Sequence, residues 1–182
     1  GGQDSGVTKI KSDGSQVIWA TYLGGSADDS QETSIRVDST NQVYVHFHTY
    51  SNDIPTTSGA HDRTYNGAGD MYVAKLTADG SDLVFGTYLG GSGDEWHNTH
   101  NLALDGHGNA YVSMDTPSSD FPTTPGAFQE VHSGASTDWG IAKLSPTGEL
   151  LAGTFIGGNG YENADGIYVD TQSNVFISGA TE

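Results

Sequence analysis

The chain has 182 residues, 26 glycines, 5 prolines and no cysteine, and 6 Lys+Arg set against 23 Asp+Glu give a formal charge of −17. Six cations cannot build the basic surfaces that nucleic acids and anionic membranes require, and the absence of Cys removes disulfide scaffolds, thiolate metal sites, thiol catalysis and cysteine-linked haem. No apolar run approaches the roughly 18 residues of a spanning helix, yet 34% hydrophobic residues are enough for a packed core.

The predicted elements are short and alternate with a period of two. Val7-Thr8-Lys9-Ile10 leads through the turn Asp13-Gly14 to Thr21-Tyr22-Leu23-Gly24-Gly25-Ser26. An acidic loop follows, then Ile35-Arg36-Val37-Asp38, Val43-Tyr44-Val45 and a Pro/Thr/Gly/Ser segment over 50–70. The same words return as Val73-Ala74-Lys75-Leu76, Asp79-Gly80, Thr87-Tyr88-Leu89-Gly90-Gly91-Ser92 and Leu102-Ala103-Leu104-Asp105, with a second long segment over 116–138. They come a third time as Ile141-Ala142-Lys143-Leu144, Thr154-Phe155-Ile156-Gly157-Gly158-Asn159 and Ile167-Tyr168-Val169-Asp170. The Gly-Gly pair recurs after 66 and then 67 residues. The chain therefore reads as one repeat segment over 1–182, with units of about 1–66, 67–134 and 135–182. No stretch carries a helical period. Four short antiparallel strands per unit, about twelve in all, joined by glycine-rich turns, predict an all-β fold of β-propeller blades.

Three words carry a family likeness. Thr87-Tyr88-Leu89-Gly90-Gly91-Ser92, Val73-Ala74-Lys75-Leu76 and Asp120-Phe121-Pro122-Thr123-Thr124-Pro125-Gly126-Ala127-Phe128-Gln129 resemble the bacterial SBBP β-propeller repeat, over essentially the whole chain. The resemblance implies a propeller module of a large secreted or cell-surface protein and supplies no catalytic residues. By analogy with related propellers, the strand at 35–38 is innermost, followed outward by the types at 43–45, 73–76 and 87–91. That order predicts a half-blade, two whole four-stranded blades and a complementary half-blade, three blades' worth in all. Closed propellers need about four to eight. Completion is expected either from further blades of a longer chain, as a start at Gly1-Gly2 suggests, or from a second copy in a six-bladed ring, because bare strand edges invite pairing.

Repeated polar residues read as structural first. Lys9, Lys75 and Lys143 hold one repeat position and are half of the cations. Each is expected to pair with a repeated acid, from either Asp4/Asp70/Asp138 or Asp38/Asp105/Asp170. Asp13, Asp79, Asp53 and Asp120 read as turn caps. After each Gly-Gly pair an acid stands at the same point, Asp29, Glu95 and Glu162, doubled by Asp28 and Asp94. Clustered carboxylates suit a hard cation, and Ca²⁺ is the candidate, against the alternative of acids that only stiffen a turn.

Histidine breaks the repeat. His46 and His48, at i and i+2 of a strand, share a face, where the other units carry Ser113 and Asp115, then Ser178 and Ala180. His97 and His100 sit beside Trp96 in the next acidic loop. Departures from an internal repeat mark what the fold does not require, so His46, His48, Trp96, His97 and His100 form the preferred ligand site. Imidazoles suit Zn or Cu, and Trp among polar groups suits a sugar or a peptide. His61, His107 and His132 read as loop residues.

No nucleophile elbow, phosphate loop or His-Glu-x-x-His zinc motif appears. The sequence therefore reads as a non-catalytic extracellular or cell-surface propeller module that presents loops to a glycan, a protein or an ion. Two alternatives stay open. One is a carbohydrate-active lyase or hydrolase drawing on His97, His100 and Tyr88 or Tyr111. The other is a surface filament or layer assembled through the half-blades.

Overall fold

Twelve β-strands carry the chain in a computed structural model that describes residues 2–29, 31–96, 100–134 and 136–182, with Gln31 described by its backbone alone. They are β1 (Ser5–Ile10), β2 (Val17–Leu23), β3 (Gln31–Val37), β4 (Val43–Thr49), β5 (Asp70–Leu76), β6 (Leu83–Leu89), β7 (Leu102–Leu104), β8 (Ala110–Thr116), β9 (Asp138–Leu144), β10 (Leu150–Ile156), β11 (Glu162–Val169) and β12 (Val175–Thr181). Among the described residues there is no helix. The strands pair antiparallel in chain order into a two-stranded sheet β1-β2, two four-stranded sheets β3-β4-β5-β6 and β7-β8-β9-β10, and a two-stranded sheet β11-β12. The fold is all-β, with the expected number and grouping of strands.

Turn chemistry sets the hairpins. Asp13 and Asp79 accept hydrogen bonds from Ser15 and Ser81, and Gly14 and Gly80 take the left-handed conformation at φ +73° and +70°. The hydroxyls of Thr77 and then Ser81 hold the Asp79 carboxyl down at about 2. Between the first two strands of each sheet, Asp38, Asp105 and Asp170 each accept two backbone N–H groups of their own turn, the local bonding that makes Asp a turn residue.

The sheets stack in chain order, with an apolar cluster between each successive pair. Val7, Trp19 and Leu23 of the first sheet pack on Phe47, Tyr72 and Tyr88 of the second. Met71, Val73, Phe85 and Leu89 meet Val112, Met114, Ala142, Leu144 and Phe155 of the third. Tyr111 and Ile141 meet Ile167 and Val169 of the last. Hence β4, β5 and β8 are buried along their whole length. The first strands of the last three sheets lie side by side, β3 against β7 and β7 against β11.

The lysines choose one of the two acid sets. Lys75 pairs with Asp38 at 3.5 Å and Lys143 with Asp105 at 3.7 Å, each above a tyrosine ring, Tyr44 at 4.7 Å and Tyr111 at 4.9 Å. Lys9 instead donates to the carbonyl of Ala78 at 3.4 Å. Asp70 and Asp138 are corrected as lysine partners, because they open β5 and β9 while Lys75 and Lys143 lie near the other end.

Candidate functional site

The acids after the Gly-Gly pairs point inward rather than to solvent. Asp29, Glu95 and Glu162 are all buried. Asp29 accepts from the Gly25 N–H at 2.6 Å, from Ser51 Oγ at 2.8 Å and from Thr49 Oγ1. Glu95 Oε1 accepts from Thr116 Oγ1 at 3.0 Å and from Ser118 Oγ. Glu162 Oε1 accepts from Thr181 Oγ1 at 3.2 Å and the Gly158 N–H at 3.3 Å. Thr49, Thr116 and Thr181 end β4, β8 and β12. Each acid therefore clasps the loop entering a sheet to the end of that sheet's second strand. Asp53 and Asp120 add to the clasp by capping Ser26 N–H at 2.8 Å and Ser92 N–H at 2.9 Å. They cap a turn as expected, but on the neighbouring loop.

The same clasp explains the paired glycines. A Cβ on Gly90 would lie 2.5 Å from Glu95 Oε2 and 2.6 Å from Asp70 Oδ1, and one on Gly24 would lie 2.5 Å from Asp4 Oδ1 and 2.9 Å from Asp29 Oδ2. Two buried carboxyl groups thus face each other across Gly90, and neither Asp70 Oδ1 nor Glu95 Oε2 meets a donor among the described residues. Burial, and then the charges of Glu95 and Asp62, push the Asp70 carboxyl up to about 7, against the Asn66 N–H that donates to Oδ2 at 2.7 Å. Burial likewise raises Glu95, against the hydroxyls and amide that bond it. Two carboxylates sharing a dry site resist double ionisation.

Roughly six to eight oxygens surround a bound Ca²⁺; among the described residues no group of three or more His, Asp or Glu side chains is placed to hold a metal ion. Asp28 accepts from the Gln3 N–H at 2.9 Å, and Asp94 bonds His48.

The histidine patch is assembled only in part. His48 is buried, and its Nε2–H donates to Asp94 Oδ1 at 3.0 Å. Its ring stacks on Trp96, with centroids 5.0 Å apart and 9° between planes, and meets Tyr50 edge-on at 4.5 Å. Burial holds the His48 pKa below its usual value, against the pull of Asp94. Trp96 is 40% exposed, and its backbone exchanges two hydrogen bonds with Asp115, at 2.9 and 2.6 Å. His46 is fully buried opposite Ser34 and Val73, because β4 is covered on both faces. His100 is exposed, donates its backbone N–H to Ser34 Oγ at 3.2 Å and sits at φ +85°. His97 lies outside the described residues. His61, His107 and His132 do fall in loops.

Tyr50 escaped the sequence reading, and Asp94 and Asp115 were read there without the partners they take. Tyr50 flanks the stack, and Asp94 accepts from His48. Asp115, at the repeat position of His48, accepts from Ala164 N–H at 2.5 Å and Asn163 Nδ2 at 2.8 Å, tying the third sheet to the fourth. Tyr88 and Tyr111, the tyrosines of the enzyme alternative, spend their hydroxyls inside the fold, donating to the Ser51 carbonyl at 2.9 Å and to Asp105 at 3.2 Å. No protein-family model and no curated protein matches the chain.

Proposed function

We propose that the chain is part of a secreted or cell-surface β-propeller, and that it acts as a non-catalytic scaffold whose ligand site is the rim around Trp96. Sheets that stack in chain order, with first strands side by side, support the propeller reading, because blades radiate from an axis in this way. The observation that carries the functional reading is Trp96 itself. The residue after the clasp acid is Ser30, Trp96 or Asn163 in the three units, so nothing in the repeat asks for an indole there. The repeated acids and lysines serve the clasp and the sheets; Trp96 is free to serve a ligand.

The chemistry favours a neutral glycan. An aromatic face held by His48 and by two backbone hydrogen bonds is preorganised, which lowers the entropic cost of binding. Asp94, with its side chain 31% exposed, offers a carboxylate to sugar hydroxyls beside that face. A charge of −17 repels polyanionic chains at long range.

Titration calorimetry and tryptophan fluorescence with neutral polysaccharides test the reading. Trp96→Ala should weaken binding at least tenfold and leave the melting temperature within about 2 °C, as expected of an exposed position. Unchanged binding in Trp96→Ala would remove the rim as the site. Release of new reducing ends from the polysaccharide by the unmodified protein would favour the enzyme alternative instead.

A further inference from the structure

The internal repeat supplies a control for what each sheet face should touch. Leu144 and Phe155, on the face of the third sheet turned to the second, are 0% exposed. Leu76 and Tyr88, at the same positions of the second sheet, are 3% and 1% exposed against the first. In β1 and β2 these positions are Ile10 and Tyr22, and they are 55% and 80% exposed. A face built like two buried ones stands open to solvent.

The matching gap lies at the other end of the stack. A groove of about 410 Å³ is lined by Ile141 and Ile156 of the third sheet, Val175 and Ile177 of β12, and Tyr111 and Phe128. Ile141 and Ile156 hold the positions of Val73 and Leu89, which bury against β7–β10. The groove is thus the seat of a third and fourth strand beside β12.

Charge points to the occupant. Within the second and third sheets a lysine of the third strand sits between an aspartate of the first turn and a ring of the second strand: Lys75 with Asp38 and Tyr44, Lys143 with Asp105 and Tyr111. The fourth sheet has the aspartate, Asp170, and the ring, Phe176, and among the described residues no cation reaches Asp170. The first sheet has the lysine, Lys9, with no carboxylate against it among the described residues. Phe176 is 56% exposed.

Resting on the propeller reading, we propose that β1–β2 of a second copy of this chain completes the β11–β12 sheet, with Lys9 of one copy between Asp170 and Phe176 of the other. The pairing continues the register of the whole sheets, where Val43 to Thr49 face Leu76 to Asp70 and Ala110 to Thr116 face Leu144 to Asp138. Val175 then faces Ile10, Ile177 faces Thr8 and Thr181 faces Asp4. The exchange is reciprocal, so two copies close on a two-fold axis. The pair holds six four-stranded sheets, four continuous and two composite, and that number lies within the range of closed propellers.

Sedimentation equilibrium and light scattering on the unmodified protein should give twice the 19.1 kDa chain mass. Tyr22→Glu, at a position open in the single chain, should weaken the pair at least tenfold while far-ultraviolet circular dichroism stays unchanged. Lys9→Glu alone and Asp170→Lys alone should each dissociate as readily. Mixed in equal amounts the two variants should pair again, since one junction then carries the charge pair in swapped order and the other keeps Lys9 against Asp170. With no native thiol in the chain, Thr8→Cys with Ile177→Cys should oxidise to a covalent dimer. A 19.1 kDa monomer at concentrations on the order of 100 μM, a pair indifferent to Tyr22→Glu, or an open ladder of higher masses would overturn the composite sheet. A monomer whose own sheets still radiate from an axis would overturn it alone; sheets that do not radiate would remove the propeller reading as well.

Discussion

Gly90→Ala is expected to destabilise the fold by roughly 3 kcal/mol, combining overpacking with loss of buried hydrogen bonds. The added carbon would sit 2.5 Å from Glu95 Oε2 and 2.6 Å from Asp70 Oδ1, so one carboxyl has to leave. If Glu95 yields, Thr116 and Ser118 lose their acceptor and the loop entering the third sheet is released from β8. Gly106→Ala is the control: its Cβ would meet nothing within 4 Å, and a change within about 0.5 kcal/mol is expected. Urea titrations of both variants measure the difference. Equal midpoints would mean that the clasp does not depend on the missing carbon.

Asp70→Asn is expected to stabilise the protein above neutral pH. A carboxyl whose pKa rises on folding, here from 3.8 to about 7, binds its proton more tightly in the folded state. Its contribution is fully present below pH 3.8 and is lost as pH climbs through about 7. On this account the unmodified protein gives up on the order of 2 kcal/mol from this group between about pH 5 and pH 8. An asparagine keeps a carbonyl for the Asn66 N–H and turns an amide donor toward Glu95 Oε2, which otherwise has none. The difference in stability between variant and parent should therefore grow in the variant's favour over that range, as measured by thermal melts. A difference that stays flat, or that grows in the parent's favour, would show that folding does not raise the Asp70 carboxyl.

Much of the fold was legible because it is written three times. The Thr-Tyr-Leu-Gly-Gly and Val-Ala-Lys-Leu words fix strands, their order and their count, and the Asp-Gly turns fix the hairpins. The lysine partners were legible in principle: in an antiparallel sheet the end of the first strand and the end of the third lie on the same edge, which selects Asp38 over Asp70. The reason for the glycines was not. Asp70 and Glu95 flank Gly90 from both directions along the chain, and only the stacking of sheets brings their oxygens to the same point. The burial of His46 and His48 was not legible for a related cause. Alternation marks a common face, but it does not say that a second sheet covers that face. Trp96 was found because it breaks the repeat, whereas Tyr50 carries no such mark, and Asp94 was marked as an acid but not as the partner of His48.

A crystal structure of the chain at neutral pH tests the propeller reading most directly. The expected result is β3, β7 and β11 side by side around one axis, with the later strands of each sheet splayed outward and Trp96 at the rim. A flat stack, in which β6 approaches β10 as closely as β3 approaches β7, would contradict it.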